Sequence, residues 1–572
     1  MISCNPQVPL HRKYLPLDFA IRDRKLLEFY YADLAGRSID SVHALEQWLR
    51  DVSELSQAIA EDMAWRYIRM TCDTTNEQYT QQYNSFLSEI YPLVMEQSNI
   101  LDKKVYESAF RDSLDQKKYK VFLRSIKNNI ELHRDANVPL FAEEQQREKE
   151  FSRISGEMTI VYNNEEYTLQ KAANFLYDTR REVRETIYFL MAERRKADAE
   201  NLQKLLSDLI EKRQQIAKNT GYANYRDFRH IQLGRFDYTV DDCLLLHEVI
   251  RQEVCPIQDM ILASRKKALG YETLKPWDIQ VDPQGNEALV PFSSVDELVD
   301  KTITCFTSIR PVFGRYIQQM KDAGYLDLAS RKGKAPGGYN YPLYESNMPF
   351  IFMNATGNLK DLETMMHEGG HAIHTFLTAD MELMQFKETP AEVAELASMS
   401  MELIAMEHWD IFFPKKEDLK RAKREMLENL IAILPWIATV DKFQHWLYTH
   451  PGHSHEERLR QWMKIYLEFS GKEIDIQGCE DVVQLLWQKQ IHIFEIPFYY
   501  IEYGIAQLGA IAVWRNYLQN KEKAIDQYIR ALSLGYSVPI PEIYDAAGIT
   551  FSFSREYVHE LMSFVKQQLT KL

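Results

Sequence analysis

Three residues carry the first chemical signal: His367, Glu368 and His371, in the stretch HEGGH. On a helix, residues four apart stand one above the other, so the two imidazoles point the same way. So placed, they can fill two corners of a tetrahedral metal site. Glu368 falls about 100° round the axis, beside such a metal, where a base taking a proton from metal-held water belongs. The competing reading is an ordinary amphipathic helix, since Leu359, Leu362, Met366, Ile373 and Leu377 line one apolar face. Gly369 and Gly370 argue against it, because each costs a helix interior about 0.8–1.0 kcal/mol relative to alanine. Close approach of another backbone, or of a substrate, would explain the pair.

A second helix is expected over residues 387–409, KETPAEVAELASMSMELIAMEHW, with Thr389 as N-cap and Pro390 in the first position. Glu395, Ser398 and Glu402 share one face of it at i, i+3 and i+7, and their neighbours are nearly all apolar. Carboxylates on a largely buried helix need partners, because unpaired buried charge is very costly. A metal and a ligand histidine are such partners. Spacing alone leaves Glu388, Glu392 and Glu395 all open as the third ligand.

The elements that must position these residues are mostly helical. Residues 44–70 and 183–219 carry apolar side chains at three- and four-residue spacing, and the second run stops where Gly221 can cap it. Residues 158–169 read as a β-hairpin around Asn163-Asn164. The short apolar run MPFIFMNAT at 348–356 is expected to lie against the glycine pair, with one edge open for peptide pairing. Stretches 271–296 and 331–349 are punctuated by proline and glycine and read as loops.

The chain has 572 residues, 45% hydrophobic and 26% charged, with 68 basic and 83 acidic side chains for a net charge of −15. That balance argues against nucleic acid or an anionic membrane as the partner. Its six cysteines (Cys4, Cys72, Cys243, Cys255, Cys305 and Cys479) form no C-x-x-C pair and read as reduced thiols. Residues 1–19 hold no apolar run of signal-peptide length, and no apolar stretch approaches a membrane span. A cytoplasmic location is the expectation.

HEGGH followed by ELASMSME resembles the zinc peptidases of the oligoendopeptidase F and thimet oligopeptidase family, the M3 peptidases. In that family a glutamate in an E-x-[AP]-S-x-x-x-E context follows H-E-x-x-H about two dozen residues on. AKNTGYANYRDF (217–228), LKPWDI (274–279), GGYNYP (337–342) and PFYYIEYGIAQLGA (497–510) are similar to the family as well. The resemblance implies one zinc per chain on His367, His371 and Glu395, with Glu368 as general base and Glu402 orienting a ligand histidine. It assigns oxyanion stabilisation to Tyr503, then Tyr499 and His492, although Ala506 stands where the thimet-type branch has a tyrosine. Phe352 and Asn354 on the FIFMNAT edge, and Tyr339 in a mobile lid formed by GKAPGGYNY, are the expected substrate contacts.

The implied fold is mainly α: a two-lobed helical metallopeptidase with a deep central groove and a few short strands beside the active-site helix. Residues 1–180 would form an N-terminal helical region with the hairpin, and 181–572 the catalytic domain. The implied activity is endopeptidase cleavage of oligopeptides. An exopeptidase, a peptide-binding protein with structural zinc, and an inactive enzyme are the alternatives.

Overall fold

The computed structural model describes residues 12–572, so Cys4 lies outside the described residues. The fold is mainly α, as expected, with five short strands in two small sheets among the described residues. The chain falls into two compact units, each assembled from three separate stretches. Of the described residues, the first comprises 12–131, 290–420 and 506–551; the second comprises 132–289, 421–505 and 552–572. A single boundary near residue 180 does not reproduce this division.

In the first unit, helix α1 (Val42–Cys72) starts on Ser41, whose side chain accepts from the Ala44 N–H. Its residues Leu45, Trp48, Leu49, Leu55 and Ile59 recur at helical spacing and are buried in one apolar cluster with Leu27, Tyr31 and Phe122. The second unit holds the expected hairpin, β1 (Thr159–Tyr162) and β2 (Glu165–Thr168). Asn163 and Asn164 both take positive φ, 52° and 64°, the pair of left-handed residues that a tight hairpin turn requires. The long helix expected at 183–219 is two helices, α2 (Arg181–Ala197) and α3 (Ala199–Thr220), separated at Asp198. Gly221 caps α3 in the left-handed region, as its sequence position suggests. Helix α4 (Val240–Glu253) completes the part of this unit used below.

Back in the first unit, α5 (Val295–Ile309) precedes a three-stranded sheet of β3 (Leu326–Ala329), β4 (Tyr339–Leu343) and β5 (Met348–Ala355). Strand order is β3-β5-β4, with β5 parallel to β3 and antiparallel to β4. The MPFIFMNAT run is therefore the middle strand with both edges paired, not an open edge. Its continuous apolar character follows, since a central strand covered on both faces alternates little. The outer strand beside it, β4, arises inside the stretch expected to be loop, and its Pro342 is tolerated because an edge strand can spare an N–H.

Helices α6 (Leu359–Leu377) and α7 (Ala391–Ala405) follow the sheet. Helix α7 begins one residue later than expected: Pro390 is the N-cap, and the Thr389 N–H bonds the Lys387 carbonyl instead. Next come α8 (Lys416–Thr449) and α9 (Tyr500–Gln519).

A candidate metal centre on two crossing helices

Helix α6 is started by a reciprocal cap, in which the Asn358 side chain accepts from the Asp361 N–H and Asp361 accepts from the Asn358 N–H. Asp361 Oδ2 also accepts from Thr356 and Gly357, so the chain leaving β5 is fixed as it enters the helix. Both glycines are explained by close contact. A Cβ on Gly370 would lie 2.6 Å from the Ser398 Cα and 2.9 Å from the Ala397 carbonyl oxygen, so α7 crosses against this point. A Cβ on Gly369 would meet the Phe306 ring of α5 at 2.6 Å. The neighbours are thus α7 and α5, not the MPFIFMNAT strand.

The crossing brings three donor atoms together. His367 Nε2 and His371 Nε2 are 3.2 Å apart, and Glu395 Oε2 lies 3.4 Å from the first and 3.9 Å from the second. Ligands held at 2.0–2.2 Å on a tetrahedral ion are separated by about 3.3 Å. Two of the spacings match edges of such a polyhedron and the third, His371 to Glu395, is longer by about 0.6 Å; two imidazoles with a carboxylate are a zinc-type donor set. No other His, Cys, Asp or Glu joins this group among the described residues. The rivals Glu388 and Glu392 do not.

Around the donors the expected roles find partners. The His367 Nδ1–H donates to Glu402 Oε1 at 2.6 Å, which turns Nε2 towards His371 and Glu395. Ser398 Oγ donates to Glu395 Oε2 at 3.2 Å and aligns that carboxylate. Burial opposes charge on His367, but Glu402, then Glu395 and Glu368, outweigh it and raise the imidazole to about 9. Burial, with the charge of His367 beside it, drives His371 well below its ordinary value. Glu368 is buried, and desolvation pushes its carboxyl up to about 7 against the pull of His367, the range in which a general base works at neutral pH. Its backbone carbonyl accepts from Asn340 Nδ2 on β4 at 3.3 Å, a link that no sequence pattern announced.

The expected substrate contacts fare less well. Phe352 is fully buried, stacked on Tyr339 at 4.8 Å, and cannot offer its ring to a ligand. Asn354 Nδ2 donates to the carbonyls of Ala335 and Gly337, and the Tyr339 hydroxyl meets Thr71 Oγ1 at 2.6 Å. The glycine-rich loop expected to be a lid is pinned further by Lys334, whose ammonium meets Asp327 Oδ1 at 2.9 Å and the backbone carbonyls of Asp327, Ala329 and Met353.

Tyr499, Tyr503 and His492 do come together, within the second unit. Tyr499 and Tyr503 have ring centroids 5.1 Å apart, and His492 lies 6.0 and 5.8 Å from them, with Tyr500 at 4.7 Å. Burial lowers His492 to about 4, which favours the uncharged imidazole.

A second histidine–carboxylate cluster, missed in the sequence, joins His247 of α4 to Asp441 and His445 of α8. Here both Nε2 atoms address one oxygen, Asp441 Oδ2, at 2.7 and 3.1 Å. The shorter distance lies well inside a metal-polyhedron edge and is that of a charge-assisted hydrogen bond. We read it as a buried hydrogen-bonded triad.

Residues 174–563 match the model of a family described as Peptidase family M3, and residues 20–133 match the Peptidase M3 N-terminal domain. The chain belongs to peptidase family M3. Among relatives of this M3 chain, it is 23% identical over 422 residues to the oligopeptidase PepF of Bacillus subtilis, covering 71% of this chain and 61% of that protein. An oligoendopeptidase F homolog of Lactococcus lactis is 23% identical over 337 residues, 57% of this chain and 54% of the relative. The chain thus spans between half and two thirds of the length of these curated relatives. A solved structure of PZ peptidase A with an inhibitor superposes with a TM-score of 0.90 at 24% identity, covering 97% of this chain and 99% of that one. Oligoendopeptidase F from Enterococcus faecium has a TM-score of 0.64 at 16% identity, with 96% and 98% covered. These likenesses concern the fold.

Proposed function

We propose that this M3 chain is a zinc-dependent endopeptidase acting on oligopeptides. The observation that carries the reading is the three-donor set His367, His371 and Glu395 with the buried carboxylate of Glu368 on the same helix. Structural zinc sites usually take four protein ligands, whereas catalytic ones take three and keep a position for water. When bound here, zinc would supply Lewis acidity and lower the pKa of that water. Glu368, raised towards neutrality by burial, would accept the proton and return it to the leaving amine. Glu402 holds the His367 ring by its Nδ1, so that Nε2 is the nitrogen turned towards the other two donors and would give up its proton to a bound ion.

The resemblance assigns stabilisation of the developing oxyanion to Tyr503, with Tyr499 and His492 as its companions, through donors aimed where charge forms. An edge strand adjoining the active-site helix is the natural place for an extended peptide to pair, and β4 has that position. The names of the relatives, oligopeptidase and oligoendopeptidase, favour internal cleavage of short peptides over removal of terminal residues. No described helix is long and apolar enough to cross a membrane, and the five described cysteines stand outside any disulfide, as a reducing cytoplasm would keep them.

The test is hydrolysis of internally quenched peptides of graded length, with and without chelator, and with cleavage positions read by mass spectrometry. Internal cuts abolished by chelator, and abolished by Glu368→Gln in protein that still holds one zinc, are the expected result. Release of terminal residues alone would replace the endopeptidase reading with the exopeptidase one. Full turnover by Glu368→Gln would remove the general-base assignment.

A further inference from the structure

Phe498 is the residue the proposed chemistry leaves unexplained. It takes φ of +69° while only 2% exposed. The other described non-glycine residues with positive φ are Asn163, Asn164 and Asn347, and asparagine tolerates that region far better than a bulky aromatic does. Such a conformation persists only where the surroundings over-determine it, and outliers of this kind cluster at functional sites.

The surroundings here are specific. On one side, Gln444 Oε1 of α8 accepts from the Phe498 N–H at 2.8 Å. On the other, Arg235 Nη2 donates to the Phe498 carbonyl. The same guanidinium pairs with Glu502 Oε1 at 2.7 Å, and both side chains are buried. Glu502 lies in the first turn of α9, beside Tyr503. The ring of Phe498 is met edge-on by His445 at 5.3 Å and at a tilt by Tyr448 at 5.4 Å. His445 is in turn held by Asp441, which gives the buried triad a place in the same assembly. Phe498 stands immediately before Tyr499, so its backbone sets the direction in which Tyr499, Tyr500 and Tyr503 enter the helix.

We propose that Gln444 and the Arg235–Glu502 pair are positioning residues for Tyr503, locking Phe498 in the left-handed conformation and thereby aiming that side chain. The proposal rests on the reading that this tyrosine acts on substrate. It concerns only residues of the second unit.

The experiment uses full-length, zinc-loaded protein. Gln444→Met keeps the length of the side chain and removes the acceptor of the Phe498 N–H. Its kcat should fall at least tenfold with KM within twofold of the parent and zinc content unchanged. In a Tyr503→Phe background the same change should cost less than a further twofold, because both lesions act through one hydroxyl. 3-Fluorotyrosine placed at 503 should give a displaced 19F resonance in Gln444→Met. Parental kcat together with an unmoved resonance would overturn the proposal. So would a full tenfold loss repeated in the Tyr503→Phe background. If Tyr503→Phe alone retains parental kcat, the tyrosine reading itself fails, and the 19F resonance then decides the positioning role by itself. Should Gln444→Met not fold, Arg235→Gln combined with Glu502→Gln releases the opposite clamp without stranding a charge, and is judged by the same readings.

Discussion

Replacing Gly370 by alanine tests whether the crossing of α6 and α7 sets the metal geometry. In a free-standing helix the change should stabilise by about 0.8–1.0 kcal/mol. Here the new methyl would sit 2.6 Å from the Ser398 Cα and 2.9 Å from the Ala397 carbonyl oxygen, both backbone atoms that cannot rotate away. Carbon atoms in contact need about 3.5–4.0 Å, so the helices must separate by about 1 Å. Overpacking of this kind costs about 1–3 kcal/mol, which leaves a net loss of up to about 2 kcal/mol after the gain in propensity. The effect on the metal is larger in kind. Ligand distances are held to about 0.2 Å, and a 1 Å separation moves Glu395 away from both histidines by several times that tolerance. Zinc affinity should fall at least tenfold, towards the upper end of the 10–100-fold range typical of disturbed outer ligation. Competition with a chromophoric chelator measures it, and thermal melting of the metal-free protein measures the fold. Gly369→Ala is the control, since its methyl meets the tip of the Phe306 ring, which can pivot. Gly370→Ala protein with parental zinc affinity and a raised melting temperature would refute the argument.

Glu402→Gln should weaken zinc binding about 10–100-fold, because the His367 Nδ1–H loses its charged acceptor. A chelator titration showing parental affinity would mean that the ring is oriented without it. Acid should destabilise the fold through buried neutral histidines. Burial lowers His230 to about 4 while its Nε2 bonds the Tyr238 carbonyl, so its contribution is fully present above the ordinary value near 6.5 and is lost as the pH falls towards 4. Between pH 6.5 and 4.5 that one group removes about 2 kcal/mol, and urea midpoints should fall less steeply with pH in His230→Gln. Identical slopes in parent and variant would exclude His230 as the cause.

Much of the metal centre was legible because it depends on one local rule. Residues four apart on a helix share a face, and that places His367 over His371 whatever surrounds them. The glycine pair was legible as a mark of close approach, but not the identity of what approaches, since α7 and Phe306 are brought there by tertiary packing. Strand order is equally non-local: a run of apolar residues is compatible with an edge or a centre, and the pairing of β5 with both β3 and β4 decided it. Asp198 interrupts a helical pattern without glycine or proline, so the break between α2 and α3 left no strong signal. Phe498 left none at all, because its backbone is imposed by Arg235 and Gln444, residues 263 and 54 positions away.

Glu395 and Glu402 stand seven residues apart on one rigid helix, about 10.5 Å along its axis. One lies 3.4 Å from His367 Nε2 in the three-donor set and the other accepts from the same ring's Nδ1. The two contacts are therefore geared together. Sliding α7 by a single residue would carry both carboxylates about 1.5 Å and turn them about 100° at once. No displacement of that helix can withdraw Glu395 from the histidines while leaving the His367 ring aligned, so any force acting on α7 would work the whole donor set as one latch.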